Sequence, residues 1–211
     1  MSVTLSEYIT ATRRLLHDAT GQYWSNSELT DYINQARNRV AQDTKCLRQL
    51  LTGVTLSNNV ENYSVAALTG GARVVDIMGI SIYWGNTRIK LQYKPWTQFD
   101  AEFRYWQNMQ SRPIAYSRLG ALEVYVGPKP DQNYTSDWDI AYMPTALVDN
   151  TSTEEIPDFF TAPVKYYAAY LAKFKEQSYG ESEMFKGEYQ QNVMQIARAY
   201  MTRVIPDPYA Y

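Results

Sequence analysis

Paired carboxylates are the first chemistry to look for in this sequence, because glycosidases and two-metal nucleases both use acids held close together. Asp137 and Asp139 fall on one face of a predicted strand, but they alternate with apolar residues, as on a solvated face. The other acids lie in a linker before Pro157 or begin a helix, where they complement the helix dipole. We therefore expect no active site among these acids, which are Asp137, Asp139, Glu154, Glu155, Glu181, Glu183 and Glu188.

The single histidine and the single cysteine offer little potential for catalysis or metal binding. His17 falls at the end of one predicted helix and Cys46 at the end of another, next to Lys45. One cysteine forms neither an internal disulfide nor a Cys-rich zinc site, and one histidine leaves little room for acid–base or metal chemistry. The phosphate-binding motifs GxxxxGK[ST] and GxGxxG are absent, and Gly70-Gly71 precedes a strand, so it predicts a turn. We expect no enzyme activity, metal or cofactor.

Composition narrows the class of protein further. The 211 residues suit one large domain or two small ones. With a net charge of −2, the protein does not have the positive electrostatic potential with which a general nucleic-acid binder attracts phosphates. No signal sequence or membrane-spanning run is visible, so we expect no membrane association. The 19 tyrosines suit either a tyrosine-rich core or contacts between subunits, and both interpretations stay open.

The first 50 residues predict two helices. Thr4 and Glu7 form a capping-box pattern, and the helix that they start ends at His17–Gly21. Ser25 and Glu28 form a second capping box, for a helix over about 26–46. Both helices carry apolar residues at helical spacing.

The middle of the chain alternates in the manner of β-strands. We predict hairpins over 54–65, 74–93 and 114–126, a short helix over 95–108, and a last strand over 137–143. A polar linker over 147–157 leads to two helices, over about 160–179 and 182–202, that form an αα-hairpin.

These elements predict an α+β fold in which helices from both ends form a bundle and an antiparallel β lobe is inserted between them. The expected domains are a helical core of 1–50 and 157–202, a β-rich lobe of 51–146 and a C-terminal tail of 203–211.

Two groups of side chains could mediate binding. Five arginines in or near the first two helices favour solvated surfaces with carboxylate partners, but leave open a weak, sequence-independent contact with DNA: Arg13, Arg14, Arg37, Arg39 and Arg48. The tail is apolar and aromatic beyond the last helix, and such a segment should find a groove. Three interpretations of the tail remain open: it docks on another subunit or protein, it packs as a strap on its own domain, or it is a frayed end.

The N-terminal third resembles a known family. Tyr8–Asp18, Tyr23–Leu29 and Tyr32–Arg37 carry the pattern RRLLHD…WS…EL…YIN.AR. This pattern, together with a proline-led helix pair over 156–201, resembles the head-to-tail adaptors, or tail accessory factors, of short-tailed bacteriophages.

The resemblance implies a structural protein of the virion at the head–tail junction, made in the host cytoplasm. Such adaptors form a ring, typically of about twelve subunits, beneath the portal protein; the ring extends the DNA channel and supports the next tail or nozzle protein. Their C-terminal segment grips the portal in several members, and the family has no catalytic motif. In this sequence the portal-docking segment is Arg203, Val204, Ile205, Pro206, Asp207, Pro208, Tyr209 and Tyr211.

The alternative to an adaptor is a binding module for glycans or peptides. Its platform would be the exposed aromatic residues of the β lobe, with Trp84, Trp96 and Trp138 as candidates.

Overall fold

The computed structural model describes residues 3–69, 73–104, 109–120, 123–149, 152 and 154–200. Over these residues the fold is α+β, with six α-helices and two four-stranded sheets, as predicted for the class. The contacts divide the chain into two compact units, one of Leu47–Met143 and the other of the residues before and after it. Among the described residues, no helix has the length and the apolar character that a membrane span requires.

The first two helices begin where their capping boxes predict. Helix α1 covers Leu5–Leu15 and helix α2 covers Asn26–Thr44. At each start the N-cap hydroxyl accepts a hydrogen bond from the Glu backbone N–H three residues on, and that Glu side chain accepts one from the N-cap N–H. This reciprocal bonding satisfies two donors that a helix start otherwise leaves unpaired.

Two further helices complete this unit. Helix α5 covers Val164–Lys175 and helix α6 covers Tyr179–Tyr200. Helix α5 begins later than predicted, because Asp158–Phe160 forms a separate 3₁₀ turn and Pro163 occupies the N-cap. The predicted end of α6 at Thr202 lies outside the described residues. Buried side chains from α1, α2, α5 and α6 form one core, which includes Leu5, Leu29, Ile33, Val40, Ala168, Ala172 and Tyr189.

The segment between the β-strands and α5 corrects the prediction of a polar linker. Leu147 and Ile156 are buried, at 1% and 2% exposure, and Glu154 is also buried. Asn34 of α2 holds this segment: its amide donates to the Leu147 carbonyl, and its Oδ1 accepts from the Leu147 N–H, both at 2.9 Å. Leu147 therefore packs into the helical core, and Ile156 is buried as well, despite the polar composition of the segment.

The Leu47–Met143 unit is built from eight strands: β1 (Arg48–Leu56), β2 (Asn62–Ser64), β3 (Val74–Trp84), β4 (Thr87–Lys90), β5 (Gln92–Tyr93), β6 (Ala115–Leu119), β7 (Glu123–Gly127) and β8 (Tyr134–Tyr142). One sheet has the order β1-β8-β3-β4, with all neighbours antiparallel. The other has the order β2-β7-β6-β5. Side chains from both sheets share one core, which includes Leu56, Ile80, Ile82, Tyr116, Val124, Val126, Trp138 and Ile140.

The pairing of these strands confirms some predicted hairpins and corrects others. Strands β3 and β4 pair around Gly85-Asn86, and β6 pairs with β7 around Gly120, as predicted. The hairpin predicted over 54–65 is wrong, because β1 pairs with β8 and β2 pairs with β7 in the other sheet. The prediction that 87–93 returns as one strand is wrong too, since β5 leaves β4 and pairs in parallel with β6.

Two short helices interrupt the strands. Helix α3 covers Val65–Leu68, where the prediction had the end of a strand. Helix α4 covers Trp96–Phe99 and continues as a π-helical turn over Asp100–Arg104, within the predicted helix of 95–108. Residues 105–108 lie outside the described part of the chain.

Candidate interaction surfaces

The polar residues of the RRLLHD…WS pattern are bonded to one another. Asp18 is 2% exposed and accepts hydrogen bonds from the backbone N–H groups of Gln22 (2.9 Å) and Trp24 (3.1 Å). Arg13 donates to the Asp18 carboxylate at 2.8 Å and to the Trp24 carbonyl at 2.7 Å. These bonds fix the loop that leads from α1 into the capping box of α2, so this part of the pattern specifies structure.

The hydrogen bonds around Asp18 also set its protonation. Burial by itself would raise the pKa of Asp18, but the backbone N–H groups of Trp24, Tyr23 and Gln22 and the nearby Arg13 charge together lower it below 3.8. The carboxylate is therefore kept charged inside the loop.

Arg37 of α2 forms a buried ion pair with Glu154, and both side chains are 1% exposed. The Arg37 Nε donates to Glu154 Oε2 at 3.0 Å, and its Nη2 donates to Oε1 at 2.7 Å. Arg37 Nη1 donates to the Thr145 carbonyl at 2.8 Å, while the Ile156 N–H donates to Glu154. The pair thus fastens the segment before α5 to α2.

This pair corrects two sequence interpretations. Glu154 is not a solvated linker acid, and Arg37 does not lie on a solvated surface. A signal was present in the sequence, because Leu29, Ile33 and Arg37 are spaced by four residues and fall on the same helical face.

The other arginines mostly have the carboxylate partners that the sequence interpretation favoured. Arg39 pairs with Asp43 at 3.0 Å, and Arg48 pairs with Asp139. Arg14 differs, because it is exposed and has no carboxylate partner among the described residues.

An open groove of about 520 Å³ lies beside Arg14, between α1 and the start of α5. Small side chains line it, among them Val3, Ala11 and Ala162, and the cations Arg14 and Lys165 border it. Sequence reasoning missed this groove, because it is formed by residues about 150 positions apart along the chain.

The two strand carboxylates, Asp137 and Asp139, have different partners. Asp137 is 5% exposed, which corrects its interpretation as a solvated residue, because side chains of the neighbouring strands β3 and β4 lie against it. The Tyr83 hydroxyl donates to Asp137 at 2.7 Å, and the Arg88 guanidinium lies 3.5 Å away. His17 is exposed just after α1. Within the described ranges, no group of His, Cys, Asp and Glu side chains is arranged to hold a metal ion.

The three candidate tryptophans do not share an exposed platform. Trp138 is fully buried and donates to the Ser136 hydroxyl at 2.9 Å, so its predicted exposure is wrong. Trp96 is half-buried and packs against Phe99 and Tyr125. Only Trp84 of the three is clearly exposed, with the Arg112 guanidinium 4.7 Å from its ring.

Aromatic residues lie both in the cores and on the surface. Tyr189 is buried, and its hydroxyl donates to Asp43 at 2.7 Å. From Tyr189 a continuous series of ring contacts passes outward through Tyr167 and Tyr170 to the exposed Phe174 and Tyr179. The prediction of tyrosines in a core is therefore confirmed for Tyr189, and contacts between subunits through the exposed rings stay a prediction.

Two predicted features fall outside the described residues: the Gly70-Gly71 turn and the portal-docking segment Arg203–Tyr211.

A known protein family matches this chain. The model of a family described as the SU10 adaptor protein matches residues 3–207, which is nearly the whole chain. No curated protein matches the sequence. The matched range includes the RRLLHD…WS pattern, both sheets and all four long helices. The match confirms the resemblance to phage head-to-tail adaptors, and the chain belongs to the SU10 adaptor protein family.

Proposed function

We propose that this protein is a structural component of a phage virion that forms a ring beneath the portal, extends the DNA channel and supports the next tail or nozzle protein. The observation that carries the proposal is the family match over residues 3–207. An adaptor family is a structural class rather than an enzyme class, and it implies association with portal and tail proteins at the head–tail junction.

The proposed ring has about twelve copies, the number that the family resemblance suggests, and repeats one head-to-tail contact. Exposed aromatic and apolar side chains on the helical unit are suited to that contact, because interfaces are enriched in tyrosine, phenylalanine and methionine. They are Tyr23, Phe159, Phe174, Tyr179, Met184 and Met194.

In this arrangement the bundle of 1–50 and 157–202 is the ring-forming core, and the β lobe of 51–146 is an insertion in it. The base of the lobe supports its description as an insertion, since the Tyr142 N–H donates to the Leu47 carbonyl at 3.1 Å. The chain therefore enters and leaves the lobe at neighbouring positions. A net charge of −2 is compatible with a channel that lets DNA slide, with at most weak, sequence-independent contacts.

The tail Arg203–Tyr211 is the proposed portal-docking segment. Deleting these nine residues should abolish sedimentation of the chain with portal rings while circular dichroism shows that the chain stays folded. Tyr209→Ala should weaken the attachment, because a buried tyrosine contributes strongly to an interface, whereas Ala210→Ser is the matched control. Undiminished attachment of the deletion variant would show that another surface meets the portal.

A further inference from the structure

The groove between α1 and the start of α5 is bordered by two cations whose charge is not balanced locally. Neither Arg14 nor Lys165 has a carboxylate partner among the described residues. The one acid that lines the groove, Glu7, is already engaged in the α1 capping box. The groove therefore favours an occupant that is apolar and carries a negative charge.

The end of α6 places one such segment close by. Contacts between α5 and α6 progress in opposite directions along the two helices: Lys173 pairs with Glu181 at 2.8 Å, and the Tyr167 ring contacts the Tyr189 ring. The 3₁₀ turn Asp158–Phe160 also contacts α6. The C-terminal end of α6 therefore lies at the same end of the helices as Thr161 and Ala162, which line the groove.

The residues that follow α6 fit the groove in length and chemistry. Tyr209 lies nine positions after Tyr200, and an extended chain spans about 30 Å over nine positions, enough to cross the start of α5. The sequence of Pro206–Tyr209 contains two prolines, a residue type that favours extended backbone, and one acid, Asp207, whose charge is opposite to that of the two cations. A volume of 520 Å³ is in the range of pockets that hold a few side chains.

We propose that in the isolated protein this groove holds Pro206–Tyr209 of the same chain, with Asp207 between Arg14 and Lys165. Because the segment is tethered to the same chain as the groove, its effective concentration there is higher than at the groove of a neighbouring chain. If the tail also docks on the portal, as proposed above, the groove and the portal compete for it. The groove then keeps an apolar segment covered until a portal is present.

Disulfide trapping tests this occupancy without any portal. In a Cys46→Ser background, the pair Ala11→Cys and Ala210→Cys should oxidise to an intramolecular crosslink, seen as a monomer of altered mobility on a non-reducing gel. The control pair, Met184→Cys with Ala210→Cys, places the partner at an exposed site near the opposite end of α6, and should crosslink at least about fivefold more slowly. Equal rates for both pairs, or crosslinked dimers alone, would overturn the proposal.

Two further experiments extend this test. One asks whether the two cations of the groove attract Asp207, and the other distinguishes binding of the tail in the groove from binding of the tail to the portal. Changing both cations, Arg14→Glu with Lys165→Glu, should slow the groove crosslink at least about fivefold, because Asp207 then meets like charge. An unchanged rate would contradict the role of Asp207. Added portal rings should reduce the groove crosslink; if they do not while the isolated chain still crosslinks, the groove inference stands and portal docking by the tail fails.

Discussion

At the scale of single residues, two buried carboxylates hold segments of the chain together. The carboxylate of Asp18 is surrounded by backbone N–H groups and Arg13, and the carboxylate of Glu154 is held by Arg37 and the Ile156 N–H. Charged groups that are buried in this way are costly to leave unpaired. Their substitution should therefore lower the stability of the folded protein.

Glu154→Gln tests the buried ion pair. The amide keeps the shape of the side chain but leaves the Arg37 charge buried without its counter-ion, which should lower the free energy of unfolding by about 3–5 kcal/mol in urea denaturation. An exposed pair offers a matched control, since Glu183→Gln beside Lys186 removes the same kind of charge at the surface. Loss of this surface ion pair should lower the free energy of unfolding by about 1 kcal/mol or less. An equal decrease in unfolding free energy for both variants would contradict the claim that the buried pair matters more for stability than a surface pair.

Asp18 predicts a specific dependence of stability on pH. Its pKa in the folded protein lies below the ordinary 3.8, so its contribution is complete above about pH 4 and is lost as the pH falls through the folded-state value. The melting temperature of Asp18→Asn should lie below that of the native protein at pH 7, and the two should converge in acid. A difference that stays constant down to pH 2 would show that the charge of Asp18 is not what stabilises the loop.

At the scale of elements, the sequence predicted the features that depend on interactions between residues close together in the chain. The capping boxes at Thr4 and Ser25 predicted both helix starts, since each box is completed within four residues. Strand partners could not be predicted in the same way. Residues 57–59 have turn chemistry, yet β1 and β2 join different sheets because their pairing is decided by the shared core of Leu56, Tyr63 and Trp138. The groove and the Arg37–Glu154 pair join distant segments, so they too required the structure.

A pair of glycines tests how closely the elements pack. A methyl group added at Gly127 in β7 would lie 2.8 Å from the Phe99 ring and 2.9 Å from Phe103, so Gly127→Ala should cost about 1–3 kcal/mol of unfolding free energy. A methyl group added at Gly187 in α6 meets nothing within 4 Å. Gly187→Ala should instead stabilise the protein by up to about 1 kcal/mol, because alanine favours a helix. Changes of the same sign in both variants would contradict this packing.

At the scale of the whole molecule, the family match accounts for the absence of a recognisable catalytic motif in the sequence. The helical core and the β-lobe core are separate clusters of buried side chains, so each unit is stabilised from within. Part of the aromatic surface is left exposed on both units, at Phe174 and Tyr179 and again at Trp84 and Tyr93. An assembly subunit needs such surfaces, because its partners cover them.

The most direct test of the adaptor function is the native mass of the purified chain, measured alone and after mixing with portal rings from its own source. We predict that the mixture gives portal rings loaded with about one chain per portal subunit, which a ring of matching symmetry requires. The tail-deleted chain serves as the control and should leave the mass of the portal ring unchanged. A full-length chain that stays a monomer beside unloaded portal rings would contradict the proposed function.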